Sequence, residues 1–487
     1  MRGSADAIVI GGGVGGLVAS LYLRRAGRSV LLLEADTPGG VCRAIPSTAG
    51  LNVTGGATTL FAMDPRMIDE LDLLNRGLTF AIRDMPLAIP WPNGKMLLLG
   101  RDPDQAAQAI AAYSATDAQN YKRYRRELFA LARALRPWWW EDAPGPVAPR
   151  NARALLERLE ATSAAAYLNG WFESDALKAA LAFDAVAPYE PGSALALVWR
   201  AAQEMCGLQG ALAIPKGGPA AFASILIALA KASGVEIRTG AQATRLILDG
   251  AEVQGVELKS GEKVLSRCVL SSLSRRATLL DLAPTASAGF AETQRLTRSA
   301  PHTGEAHITL VLDAASDLDG MPANARALIA ERLDGWLDID ASTRLGLLPD
   351  ELMMEVVVPT AIEPEFARAG QHVLSITVRG LPAAPEEGRA ALSKRLAERG
   401  VSALECRMKN LRAHITGIHF DLPDASTRDS EFSVSRILSP YRARIATPLN
   451  GLFLCGSAAE PMDAVSGRAG RLAAGMAQRW LSPEVSP

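Results

Sequence analysis

The sequence predicts an α/β fold built on a parallel sheet and joined to a second, α+β part, and three stretches carry the prediction. Gly11 to Gly16 reads Gly-Gly-Gly-Val-Gly-Gly between the apolar run Ala7 to Ile10 and a helical segment, Leu17 to Arg25. A second apolar run, Ser29 to Leu33, ends in Glu34, about 20 residues beyond the turn, as a strand-helix-strand unit requires. Strands between Val235 and Ser271, then a closing strand at Gly451 to Ser457 and a helix at Gly467 to Leu481, read as later returns of the chain to the same sheet.

The spacing of the first stretch has a chemical meaning. Gly11, Gly13 and Gly16 fit G-x-G-x-x-G: the first allows the tight turn, the second lets a pyrophosphate approach the backbone, and the third lets the helix pack on the strand. Val14 and Gly15 complete the turn, and the helix start offers free N–H groups and partial positive charge to phosphate. Glu34, with Ala35 beside it, stands where an acid accepts a ribose hydroxyl hydrogen bond. The pattern is that of a Rossmann unit for an adenine dinucleotide. Gly39-Gly40, followed at Arg43 by a cation, comes just after the ribose acid, where FAD enzymes bring a loop across the pyrophosphate; an ordinary turn is the other reading. Leu51 to Thr58 is a short strand interrupted by Gly55, Gly56 and Ala57, which suits close backbone approach to a planar ring, or a hairpin turn.

The 487 residues leave room for two or three domains and a large core. A net charge of −1 supplies no field for nucleic acid. Cys42, Cys206, Cys268, Cys406 and Cys455 contain no C-x-x-C pair and read as small buried hydrophobes in a reducing compartment. His302, His307, His372, His414 and His419 show no metal-ligand grouping, so no metal is expected. The longest strongly apolar helical run, Ala220 to Ala230, falls short of the roughly 20 residues that span a bilayer. A strand starting near Ala7 leaves no space for a secretory signal, so the protein is expected in the cytoplasm, soluble or peripheral at a membrane.

Residues 1–80, 210–285 and 442–487 read as the dinucleotide domain, and 81–209 with 286–441 as a substrate domain with a helical part. Ser114 opens a helix whose apolar stripe is Tyr121, Tyr124, Leu128, Leu131 and Leu135, and Pro137 is expected to halt it. Trp138-Trp139-Trp140 follows, beside Arg133 and Arg136. Indole and basic groups together suggest interfacial membrane contact, against the alternative of tryptophans packed under a loop. Pro215-Lys216-Gly217-Gly218 introduces the helix from Ala220, and the strands His307 to Leu312, Leu352 to Val358 and Val373 to Val378 belong to the substrate part. The final helix is expected to aim its N-terminus at the cofactor.

With Gly11 to Gly40, the Pro215 to Gly218 turn and Leu452 to Gly470 in this order, the chain resembles the phytoene desaturase-like flavoproteins over essentially its full length. The resemblance implies a glutathione-reductase-like FAD domain, discontinuous in sequence. Gly11, Gly13, Gly16 and Glu34 would hold the ADP part, Gly39 and Gly40 the pyrophosphate crossing, and the Ala243 backbone would lie beside the adenine. Gly456 and Ser457 would approach the ribityl chain and pyrophosphate, while Gly56 and the turn Ala464, Val465, Ser466 and Gly467 would meet the flavin ring. The family commonly has an acid where this chain has Thr54, a glycine run where Pro461 precedes Met462-Asp463-Ala464, and an arginine directly after Gly-Gly. The ring environment is therefore expected to be specialised. The implied activity is an FAD-dependent dehydrogenase or desaturase taking hydride from a small hydrophobic or lipidic substrate, with Asp463 as candidate acid or base. No second strand with G-x-G-x-x-G follows, so one FAD and no dedicated NAD(P) domain are expected, with oxygen, a quinone or another diffusible acceptor taking the electrons. The alternatives are an amine oxidase, a redox-neutral isomerase, and a membrane-peripheral flavoprotein without turnover.

Overall fold

The computed structural model describes residues 5–45, 53–54, 56–91, 96–140, 150–285, 287–298, 302–314, 322, 324–408, 410–422, 434–462 and 464–482. Five short apolar runs pair in parallel, in the order Glu236–Arg238, Val30–Leu33, Ala7–Ile10, Val269–Ser271, Leu452–Leu454. Their sequences do not alternate because both faces are covered. Ala7, Val9, Val30 and Leu32 pack against the helices Val14–Arg25, Gly218–Ala232 and Arg468–Leu481. Ile8, Ile10, Leu31 and Leu33 pack against a three-stranded antiparallel sheet, Ala243–Asp249, Glu252–Leu258 and Lys263–Leu265.

The last strand and helix return to the opening glycines. A Cβ on Gly15 would overlap the Cys455 carbonyl oxygen, and one on Gly470 would overlap the carbonyl of Gly15, so the first and last helices touch through bare backbone.

A second sheet has seven strands, in the order Ile415–Asp421, Thr303–Leu312, His372–Pro382, Met353–Val357, Arg326–Ile329, Leu87–Pro90, Met96–Leu99. All its neighbours are antiparallel except Arg326–Ile329 with Leu87–Pro90. Here side chains do alternate. Ile308, Leu310, Met354, Val356, Ile376 and Val378 pack under the helix Arg389–Glu405, while His307, Glu355 and Thr377 face the other way.

A helical layer closes the molecule, and one of its elements departs from expectation. The helix Ala115–Trp140 runs through Pro137 and does not end there. Proline inside a helix costs about 3 kcal/mol or more, and the segment beyond it recovers this by burial: Trp138 and Trp139 are in the core, and Trp139 Nε1 donates to the Ile437 carbonyl at 3.0 Å. Trp140 lies between two guanidinium groups, Arg136 at 4.0 Å and Arg468 at 4.7 Å from its ring centre. Trp138 and Trp139 thus serve the interior and Trp140 is half-buried, which is the packed reading of the two that the sequence offered. Packing beneath the helical layer consumed the indoles that the sequence left free.

Candidate active site

A cavity of about 950 Å³ lies between the two sheets. Gly11, Gly13, Val14, Gly15, Glu34, Gly40, Arg43, Gly56, Ala57, Gly456, Ser457, Ala464, Val465 and Ser466, all singled out from the sequence, line it. Gly16, Ala35, Gly39 and Ala243 stand outside the lining. Gly16 packs on the Gly11 carbonyl, where a Cβ would clash, and Ala35 is exposed. The Gly39 amide donates to the Gly12 carbonyl at 2.8 Å, and Ala243 opens a strand of the three-stranded sheet. Asp463 lies outside the described residues.

The anion-binding end is built by the backbone. Gly11 adopts φ +86°, a conformation glycine reaches without strain, and its carbonyl accepts a hydrogen bond from Ser272 Oγ at 2.9 Å. The helix Val14–Arg25 then begins with no side-chain cap and no acid in its first turn, leaving its N-terminal amides to a ligand. Next to Gly13 the space is open, the nearest atom to a Cβ being Ser272 Oγ at 3.9 Å. Glu34 accepts the Gly12 amide at 2.6 Å and the Asp36 amide at 2.9 Å, which fixes its carboxylate at the cavity edge. Uncapped amides, open backbone and a placed carboxylate fit the pyrophosphate and ribose of FAD.

At the opposite side, the start of the last helix borders the cavity through Ser466, Gly467 and Ala469, and two of its amides are already taken by side chains. Ser466 Oγ accepts the Arg468 amide at 2.9 Å, and the buried Glu460 carboxylate accepts the Ala469 amide at 3.1 Å and the Tyr441 hydroxyl at 2.6 Å. A buried carboxylate requires donors, and the helix start supplies them. The Pro215 to Gly218 turn also serves another purpose: the Gly217 amide donates to Glu363 at 2.7 Å, tying the helix Gly218–Ala232 to the substrate half. Thr54 Oγ1 donates to the Ala57 carbonyl at 2.6 Å, closing the turn whose Gly56 and Ala57 line the cavity.

The floor of the cavity is a polar row that the sequence reading missed. In register, His307 faces Thr377 on one side and Asp421 on the other, and Thr377 faces Glu355. His307 Nδ1 lies 3.1 Å from Thr377 Oγ1 and Nε2 lies 3.2 Å from Glu305. Burial pushes the imidazole down to about 4, with Asp421 only partly opposing, so it is neutral at pH 7. Beneath this row Arg326 binds Asp184 at 3.0 Å and Glu355 at 2.8 Å. Burial by itself would raise Asp184, yet Arg326 and Arg200 hold it at about 2. The signal was present in Ser375, Thr377 and Arg379, which alternate with Leu374, Ile376 and Val378 along one strand. Period two marks a sheet with one polar face.

The comparisons with known proteins agree with this geometry. The chain is 27% identical to pyridine nucleotide-disulfide oxidoreductase domain-containing protein 2 of Rattus norvegicus, over 98% of this chain and 94% of that protein. It is 32% identical to hydroxyneurosporene desaturase of Cereibacter sphaeroides over 52% of this chain and 53% of that one. In fold it resembles an oxidoreductase from Methanosarcina mazei (TM-score 0.67, 16% identity, 97% of this chain and 99% of that chain). It also resembles wild-type putrescine oxidase bound to putrescine (TM-score 0.64, 16% identity, 98% and 99%). Residues 14–461 match the flavin containing amine oxidoreductase family, to which the chain therefore belongs as an FAD-dependent oxidoreductase.

Proposed function

We propose that the protein dehydrogenates or desaturates a small molecule with a largely apolar body. The observation that carries this reading is the continuity of one cavity from the glycine turn at Gly11 to the floor at His307 and Thr377. FAD, when bound, supplies the hydride acceptor. The chain's own groups hold and orient: the amides after Gly13 bind phosphate, Glu34 takes the ribose, and Phe61, Tyr189, Trp336 and Ile339 exclude water from the substrate. His307, neutral at pH 7 and held between Thr377 and Glu305, adds an uncharged polar group to the floor that orients the substrate. The hydroxyneurosporene desaturase relative supports a hydrophobic substrate, and the likeness to putrescine oxidase keeps an amine as the second reading. Oxygen or a quinone serves as acceptor in this proposal. The cytoplasm is the proposed location: the five cysteines are free thiols, and no helix among the described residues is long and apolar enough to cross a membrane.

The test is anaerobic bleaching of the flavin absorbance with polyenes, lipidic alkenes and amines. Bleaching by alkenes or polyenes is the expected result. Bleaching by amines alone moves the assignment to an amine oxidase.

A further inference from the structure

We infer that the substrate carries an anionic group, a carboxylate, and that Arg379 receives it at the floor of the cavity. The inference rests on the dehydrogenase reading above and narrows its substrate to an amphipathic acid.

Arg379 lines the cavity on the same strand face as Thr377. Its Nη1 donates to the Phe183 carbonyl at 2.6 Å, and its guanidinium stacks 4.4 Å over the Phe183 ring. These contacts fix the group yet employ one N–H of five. Among the described residues no carboxylate lies within 4.0 Å of it.

The neighbouring acids are committed elsewhere. Asp184 receives Arg326 at 3.2 and 3.0 Å and stands 3.9 Å from Arg200. Glu355 receives Arg326 at 2.8 Å. Glu305, opposite Arg379 across the strands, turns to His307. Asp184 and Glu355 are thus held by Arg326 and Arg200, and among the described residues the remaining N–H groups of Arg379 have no carboxylate partner where it lines the cavity. Burial draws Arg379 below the ordinary arginine range, with Glu355 and Asp184 opposing the shift. Arg379 is partly exposed where it lines the cavity, and its planar fork can meet a ligand carboxylate there in two parallel hydrogen bonds. Phe183 in turn meets Trp336 edge-on at 6.0 Å, and Trp336 with Leu337 and Ile339 forms an apolar wall beside the cation. Charged head and apolar body are both provided for.

The experiment uses the flavin-loaded protein and matched probes, benzoate against benzamide and decanoate against decanol, with binding read from perturbation of the flavin absorbance bands. The expected result is carboxylates binding about tenfold tighter or more than their neutral partners. Arg379→Gln removes the preference, and Arg379→Lys, which keeps the charge without the fork, weakens carboxylate binding about tenfold. Equal affinities for acid and neutral probe in the wild type overturn the inference. A preference unchanged by Arg379→Lys, or surviving Arg379→Gln at full flavin content, overturns it too. Flavin bleaching by a long-chain alkenoic acid at equal rates in wild type and Arg379→Gln removes the anion site and leaves the dehydrogenase reading. Selective carboxylate binding without bleaching by any alkene, polyene, amine or acid supports the anion site and removes the dehydrogenase reading.

Discussion

Two glycines in the last helix carry opposite consequences. Gly470 faces the Gly15 carbonyl with no room for a methyl group, whereas the nearest atom to a Cβ on Gly475 is the mobile end of Arg479, 4.0 Å away. Gly470→Ala is expected to cost about 1–3 kcal/mol through overpacking, and Gly475→Ala to add about 0.5–1 kcal/mol through helix propensity. Urea unfolding of the two variants checks the sign of each. His307 makes stability depend on pH. Its native value of about 4 lies below its ordinary 6.5, so between those values the unfolded chain binds a proton that the native protein refuses. Stability therefore falls as pH drops from 6.5 to 4, by about 3 kcal/mol in total. Asp184, held at about 2, loses its contribution only below its ordinary 3.8 and does not overlap this window. His307→Gln is expected to flatten the pH 4–6.5 slope, and an unchanged slope in unfolding free energy contradicts the assignment.

At the scale of elements, periodicity was legible and endpoints were not. The stripe Tyr121, Tyr124, Leu128, Leu131 and Leu135 is buried as its spacing requires. The end of that helix was misread because local proline chemistry argues for a stop, while the burial that overrides it involves Ile437 and Arg468, hundreds of residues away. Trp139→Ala is accordingly expected to cost about 3–5 kcal/mol, measured by thermal unfolding, and Trp139→Phe to lose less. The strand His372–Pro382 shows the converse: its existence was read from the sequence, but the chemistry of its polar face became visible only once Asp421, His307 and Glu355 stood in line with it.

For the whole molecule, the cavity joins two sheets, and a cofactor that touches both holds them together. Glycines from the parallel sheet and Arg43, which pairs with Asp421 of the second sheet at 3.5 Å, border the same space. Free FAD at 100 times its dissociation constant is expected to add about 2.7 kcal/mol. Flavin-stripped protein should melt at a lower temperature and regain the difference on titration with FAD, but not with adenine alone; a melting temperature indifferent to FAD speaks against the site.

The sequence by itself determined the dinucleotide unit. A glycine turn, flanking apolar runs and an acid at a set distance are local patterns, and local patterns dictate backbone geometry and which faces are buried. The tertiary structure alone decided what the cavity offers its substrate: the line of His307, Thr377 and Glu355, the placing of Arg379 at the lining, the capping of the last helix by Glu460, and the burial of the tryptophans. Each of these depends on contacts between residues far apart in the chain, whose partners no spacing along the sequence announces, and on the dry surroundings that give charge its weight only after folding.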